Sequence, residues 1–212
     1  MKKTKIDYQS EYKKQLKINI SLVRSEIDNP DFVLKIKNHA EKFNREPSEI
    51  REKIMTDDMY AEIFAKDPSK QNIYEKLAAD YISKLKYISD FKNLPNNAKI
   101  FVCDGVIVNK RQNDVKSIDF YFKVGNKNIY VSHKYIKATY GGAQDNQYND
   151  VRNFLKNCNK INSGDDYFIS ICDGPYFESK IKILNNDFGS KNVIAMGIDD
   201  LEGFIEKIAK DN

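Results

Sequence analysis

Residues 116–157 read KSIDFYFKVGNKNIYVSHKYIKATYGGAQDNQYNDVRNFLKN. The stretch predicts two strands, a glycine break and a helix. Segments 118–124 and 129–135 are rich in β-branched and aromatic residues, and Gly125-Asn126 between them is a hairpin signal. Gly141-Gly142 permits a sharp turn, and a helix over 144–158 follows, with Gln144, Gln147 and Val151 on one stripe. The polar residues of the stretch fall where a fold alone has no need of them. Asp119 interrupts the first strand, Ser132-His133-Lys134 end the second, and Gln144, Asp145, Gln147 and Asp150 crowd the first turns of the helix.

Outward from this centre, 168–172 and 193–196 predict short buried strands, and 177–184 and 199–208 predict helices. Residues 100–108 read as β-like. Toward the N-terminus the pattern turns helical. Pro68-Ser69 start a helix over 71–88 with Glu75 and Gln71 one turn apart, and amphipathic segments cover 5–27 and 31–43, with Pro30 ending the first. Pro47 opens a short helix, and Thr56 before two aspartates reads as an N-cap for a turn through Phe64. The expected architecture is α/β of the α+β kind: a mixed central sheet flanked by helices over 67–212, preceded by a helical region over 1–66.

Composition sets outer limits. The 212 residues suffice for a sizeable core, and 41% hydrophobic with 31% charged residues is an ordinary globular balance. The net charge of +4, from 35 basic and 31 acidic residues, neither requires nor excludes a nucleic-acid face, which needs only a local basic stripe. Cys103, Cys158 and Cys172 lack CxxC spacing and lie in or beside apolar runs, as reduced buried thiols would. No apolar run approaches the ~20 residues of a membrane span, and the basic N-terminus has no signal-type hydrophobic segment behind it. The expectation is a cytoplasmic protein with no membrane partner.

Chemistry begins with Asp119. Strict alternation puts it on one face with Tyr121, leaving Ile118, Phe120 and Phe122 on the other, and a mid-strand carboxylate that is buried must be hydrogen-bonded, paired or metal-bound. Ser132 and Lys134 share a face of the next strand. A lysine beside a neighbouring strand's aspartate can stabilise an attacked phosphate or orient water, with carboxylate-held Mg²⁺ polarising the phosphodiester. His133 faces the other way and reads as a support residue; with His39 the only other histidine, little remains for a histidine-zinc centre. Asp173-Gly174-Pro175 reads as a turn.

Five blocks in this order, KDPSKQNIYEKLAADYI, KSIDFYF, YVSHKYIK, GGAQDNQYNDVRNFL and FISICDGPYF, resemble the PD-(D/E)XK nuclease superfamily, and within it the type II restriction endonucleases, over roughly residues 66–206. The resemblance places the family's first catalytic aspartate on Asp119 and its lysine on Lys134. Where most members have an acid two residues before that lysine, this chain has Ser132. Members with serine there recruit an acid from the following helix, which leaves Asp145 and Asp150 as metal-ligand candidates, Asp150 favoured because it shares the stripe of Gln147 and Phe154; Gln147 and Ser132 join the catalytic candidates. Glu75 resembles the supporting acid of the preceding helix.

The resemblance implies a Mg²⁺-dependent, sequence-specific endonuclease cutting double-stranded DNA, acting as a homodimer in a restriction-modification system with a cognate DNA methyltransferase, with the helical region 1–66 serving DNA binding, dimerisation or both. Lys110, Arg111, Gln144, Tyr176 and Lys180 are the candidate DNA contacts; Asn44, Arg45, Gln112, Asn109 and Asn113 add possibilities among which the sequence does not choose. Two rival expectations stand beside it: a catalytically inactive DNA-binding or assembly module on the same fold, motivated by Ser132, and a repair nuclease that cuts by DNA structure.

Overall fold

The computed structural model describes residues 4–94, 100–103, 106–109, 117–137, 142–161 and 164–211, without the side chains of 100, 103, 142 and 143. The loop candidates Lys110, Arg111, Gln112 and Asn113 lie outside the described residues. The chain divides into two units, Asp7–Tyr74 and the remainder, Met1–Ile6 with Glu75–Asn212.

The first unit is helical: α1 (Tyr8–Ser25), α2 (Pro30–Lys42), α3 (Pro47–Thr56), α4 (Asp58–Phe64) and a 3-10 turn at Pro68–Gln71. Its core gathers Ile20, Val23, Ile27, Phe32, Ile36, Ile50, Ile54 and Ala61. The caps follow side-chain chemistry. Asp7 accepts from Ser10 N–H, and Asn29 accepts from Asp31 N–H with Pro30 at the first helical position, so Pro30 opens α2 as much as it ends the segment before it. The cap of α4 is Asp57 and not Thr56; Thr56 closes α3 and sends its hydroxyl back to the Glu52 carbonyl. Asn72 adopts a left-handed conformation at φ 55° and separates Gln71 from α5 (Ile73–Ser83), so Gln71 and Glu75 do not share a helix. The boundary falls between Tyr74 and Glu75, which puts the first residues of α5 with the helical unit.

The second unit is a mixed sheet between helices. Its strands are β1 (Ser89–Asn93), β2 (Ile100–Cys103), β3 (Val106–Val108), β4 (Ser117–Ile118), β5 (Phe120–Val124), β6 (Lys127–Tyr135), β7 (Tyr167–Asp173) and β8 (Val193–Met196). The helices are the rest of α5, α6 (Gly142–Cys158), α7 (Ile181–Phe188) and α8 (Ile198–Lys210). The main sheet runs β1-β5-β6-β7-β8, antiparallel up to β6 and parallel from β6 to β8; a smaller sheet runs β3-β2-β4.

The β5–β6 turn at Gly125 has φ 58°, the conformation glycine supplies without strain. One face of the sheet, with Phe120, Phe122, Val131, Ile169 and Ile171, packs against Ala78 and Ile82 of α5 and Leu201, Ile205 and Ile208 of α8. The other, with Ile118, Phe168, Cys172 and Val193, packs against Val151, Phe154 and Leu155 of α6 and Leu184 of α7. This is the mixed α+β architecture expected from sequence. Two readings change: the helix over 71–88 stops at Ser83 and gives way to edge strand β1, and the single extended segment 100–108 is a hairpin of β2 with β3.

Candidate functional site

The site candidates cluster where β6 ends, because β6 lies at the centre of the sheet and the crossover through α6 returns over its far half. Lys134 points to the α6 face, and its Nζ is 3.0 Å from Asp150 Oδ2. The lysine side chain is 20% exposed and the aspartate 45%, so water screens the pair and its net worth is about 1 kcal/mol or less. An ion pair this weak can open to a stronger anion.

Asp119 is buried and sits in the break between β4 and β5. Its backbone stays in the ladder: its N–H donates to Val131 O at 2.8 Å, and its carbonyl accepts from Leu94 N–H at 2.9 Å. Its carboxylate does something a strand residue ordinarily cannot. Oδ2 accepts the backbone N–H of His133 at 2.7 Å, filling the ladder position vacated where the chain leaves β6 and pairs through β4 with β2. This irregularity resets the alternation. Ile118 packs with Phe154 on the α6 face and Phe120 with α8 on the other, so the expectation that the two share a face is corrected.

Ser132 is fully buried, and its hydroxyl has no hydrogen-bond partner among the described residues. It lies level with Ser170 of β7, whose Oγ is 3.5 Å from Cys172 Sγ. Burial pushes the Cys172 thiol up to about 12 and the Cys158 thiol well above its ordinary value, so both stay protonated at neutral pH.

His133 faces the opposite side of the sheet, with its ring centroid 6.2 Å from that of Phe120 and Nε2 3.6 Å from Asp173 Oδ2. Asp173 Oδ1 in turn accepts the Ile198 N–H at 2.9 Å in the first turn of α8. Asp173 thus ties the ends of β6 and β7 to α8, a role the sequence reading missed by treating it as a turn residue. Its only local signal is a carboxylate closing an apolar strand.

The remaining candidates divide. Asp145 is exposed and accepts from the Tyr176 hydroxyl at 3.1 Å, on the flank of α6 near Lys180 and away from the Lys134–Asp150 pair. Burial first, and then this bond to Asp145, raises the Tyr176 phenol above its ordinary value. Gln144 is half-buried, and its Oε1 lies in the interior with no hydrogen-bond partner among the described residues. Gln147 is half-buried one turn before Asp150. Glu75 lies in the first turn of α5, the helix packed on the opposite face of the sheet from α6.

Among the described residues no three His, Cys, Asp or Glu side chains gather as a multi-ligand metal cluster. The donors flanking β6 are the Asp119 and Asp150 carboxylates and the Ser132 hydroxyl, all hard oxygens. Carboxylate and hydroxyl oxygens are the donor type that Mg²⁺ takes, one or two carboxylates at a time, with water and phosphate oxygen completing its shell.

No family model matches the chain, and no curated relative matches it. Among solved structures it is similar to protein VC1899 from Vibrio cholerae, with 10% identity and a TM-score of 0.37 over 95% of this chain. It spans 52% of that protein's length, and a likeness of this size carries no argument about the site.

Proposed function

We propose that this protein is a Mg²⁺-dependent nuclease of restriction type that hydrolyses phosphodiester bonds in double-stranded DNA, with Lys134 and Asp150 at the centre of its site. The observation that carries the reading is the 3.0 Å contact between Lys134 Nζ and Asp150 Oδ2 across the β6–α6 connection. A lysine two residues past Ser132 meets the carboxylate that the helix had to supply. Asp150 keeps a compact ammonium charge near the end of β6 through a weak pair, and Lys134 can leave it to meet a phosphate oxygen and offset charge developing on it. Asp119, held by the His133 N–H, keeps its carboxylate beside the same strand. Asp119 and Asp150 would hold Mg²⁺, which when bound supplies polarisation of the phosphodiester and a more acidic coordinated water.

The test is digestion of a sequenced plasmid with Mg²⁺ by wild type and by Lys134→Ala. Discrete fragments from the wild type alone support the reading; an intact plasmid in both defeats it. A second reading has its own observation. The Asp119 carboxylate is engaged by a backbone N–H and the family's second acid is replaced by Ser132, as suits a DNA-binding or assembly module that does not cut. DNA retention without cleavage under every divalent metal selects that module. Cleavage confined to branched substrates selects a repair nuclease, and a neighbouring methyltransferase gene favours restriction.

A further inference from the structure

The flank of α6 carries a surface built of tyrosine rings and cations, two of whose residues, Tyr176 and Lys180, are among the candidate DNA contacts. Tyr148 and Arg152 lie one turn apart on α6, and Tyr176 and Lys180 belong to the turn leading into α7. The two tyrosine rings meet edge to face at 6.4 Å, and both are half-buried, each packed on one side against the core beneath α6. Lys180 Nζ lies 5.8 Å from the Tyr148 centroid and 6.0 Å from that of Tyr176. The Arg152 guanidinium lies 5.9 Å from Tyr148 and 5.3 Å from Phe188, at the end of α7. Aromatic faces and cations therefore alternate across the patch, and the Asp145 carboxylate is occupied at its rim by the Tyr176 hydroxyl.

The geometry points to a binding surface for an unpaired nucleic-acid strand, with bases stacking on Tyr148 and Tyr176 and phosphates meeting Arg152 and Lys180. An exposed cation–π contact is weaker than a base stacked on an aromatic side chain, and a cation beside the ring is placed to meet the backbone of a stacked strand. A duplex keeps its base faces to itself, which makes the unpaired strand the fitting occupant. The inference rests on these side chains and not on Lys134 or Asp150, so it stands or falls apart from the nuclease reading.

The experiment is fluorescence anisotropy of the full chain in EDTA, where no metal-dependent cleavage occurs, with labelled oligo(dT), oligo(U) and a duplex of equal length. Wild type is expected to bind a single strand, with the duplex reporting separately on the nuclease reading, and the two oligomers report whether the strand is DNA or RNA. Tyr148→Ala with Tyr176→Ala is expected to weaken that binding tenfold or more, while Tyr148→Phe with Tyr176→Phe, which keeps both faces, binds as wild type. Arg152→Gln with Lys180→Gln is expected to flatten the salt dependence by the equivalent of about two phosphate contacts, a readout that survives if the alanine pair fails to fold. No single-strand binding by wild type, alanine variants that fold and bind unchanged, or an unaltered salt slope in the glutamine variant would overturn the proposal.

Discussion

Asp119 and Ser132 show how much a single polar side chain decides in this fold. The Asp119 carboxylate completes a backbone ladder, accepting the His133 N–H in a buried setting. Asp119→Ala would strand that N–H, at a cost of about 1–3 kcal/mol plus the loss of a charge-assisted bond. Asn keeps an acceptor at the position, so Asp119→Asn is expected to unfold closer to wild type than Asp119→Ala in urea titrations; equal losses would show that the ladder bond contributes nothing. Ser132 is the opposite case. Its buried hydroxyl is unpartnered, so Ser132→Ala removes an unsatisfied group and should leave stability unchanged or raised by up to about 1 kcal/mol in the same titration. A loss of 2 kcal/mol would mean the hydroxyl has a partner after all. Asp173 was not legible from sequence because the groups it joins, His133 and the Ile198 N–H, are remote along the chain.

At the scale of elements, the β5–β6 hairpin and the helix α6 after the glycine break were legible because turn chemistry and periodicity agreed there, whereas the strand order and the parallel pairing of β6 with β7 rest on contacts remote along the chain. The misread elements have physical reasons. The strand SDFKN is an edge strand, mostly exposed and polar, and it carries no buried alternation to announce it. The alternation of Ile118 and Phe120 failed because the break at Asp119 adds a residue that belongs to neither strand.

Two element junctions are held by single residues. Gly174, at φ 95°, has space for no side chain: a Cβ there would meet the Ile136 carbonyl oxygen at 2.1 Å. Gly174→Ala should lower stability by about 2 kcal/mol or more and Tm by several degrees in a thermal melt. Asn185 of α7 clasps edge strand β8, donating to the Ala195 carbonyl at 2.8 Å and accepting the Ala195 N–H at 2.7 Å. Asn185→Ala frees both groups, and faster hydrogen exchange at Ala195 than at Ile169 is the expected sign.

At the scale of the whole molecule, no helix among the described residues is long and apolar enough to cross a membrane. The core holds its thiols protonated. Between about pH 9 and 12 an unfolded Cys172 is ionised while the folded one keeps its proton, so the folded state binds more protons and stability falls as pH rises, by up to about 1.4 kcal/mol per pH unit for that thiol. Urea titrations at pH 8 and pH 10 should show the loss, and Cys172→Ala should reduce it. Below pH 9 this group contributes no pH dependence. Native protein at pH 7.5 is likewise expected to resist iodoacetamide at Cys158 and Cys172.

The central claim concerns the Lys134–Asp150 pair, whose loss should remove catalysis without removing the fold. Deleting one preorganised charge that stabilises a transition state costs about 10²–10³ in rate. The direct measurement is the cleavage rate of a sequenced plasmid in Mg²⁺ for wild type and Lys134→Ala, with a thermal melt of both. The account requires discrete cutting by wild type and a loss of at least about 10² in the variant at an unchanged melting temperature. Plasmid left intact by both proteins, or cut equally by both, would contradict it.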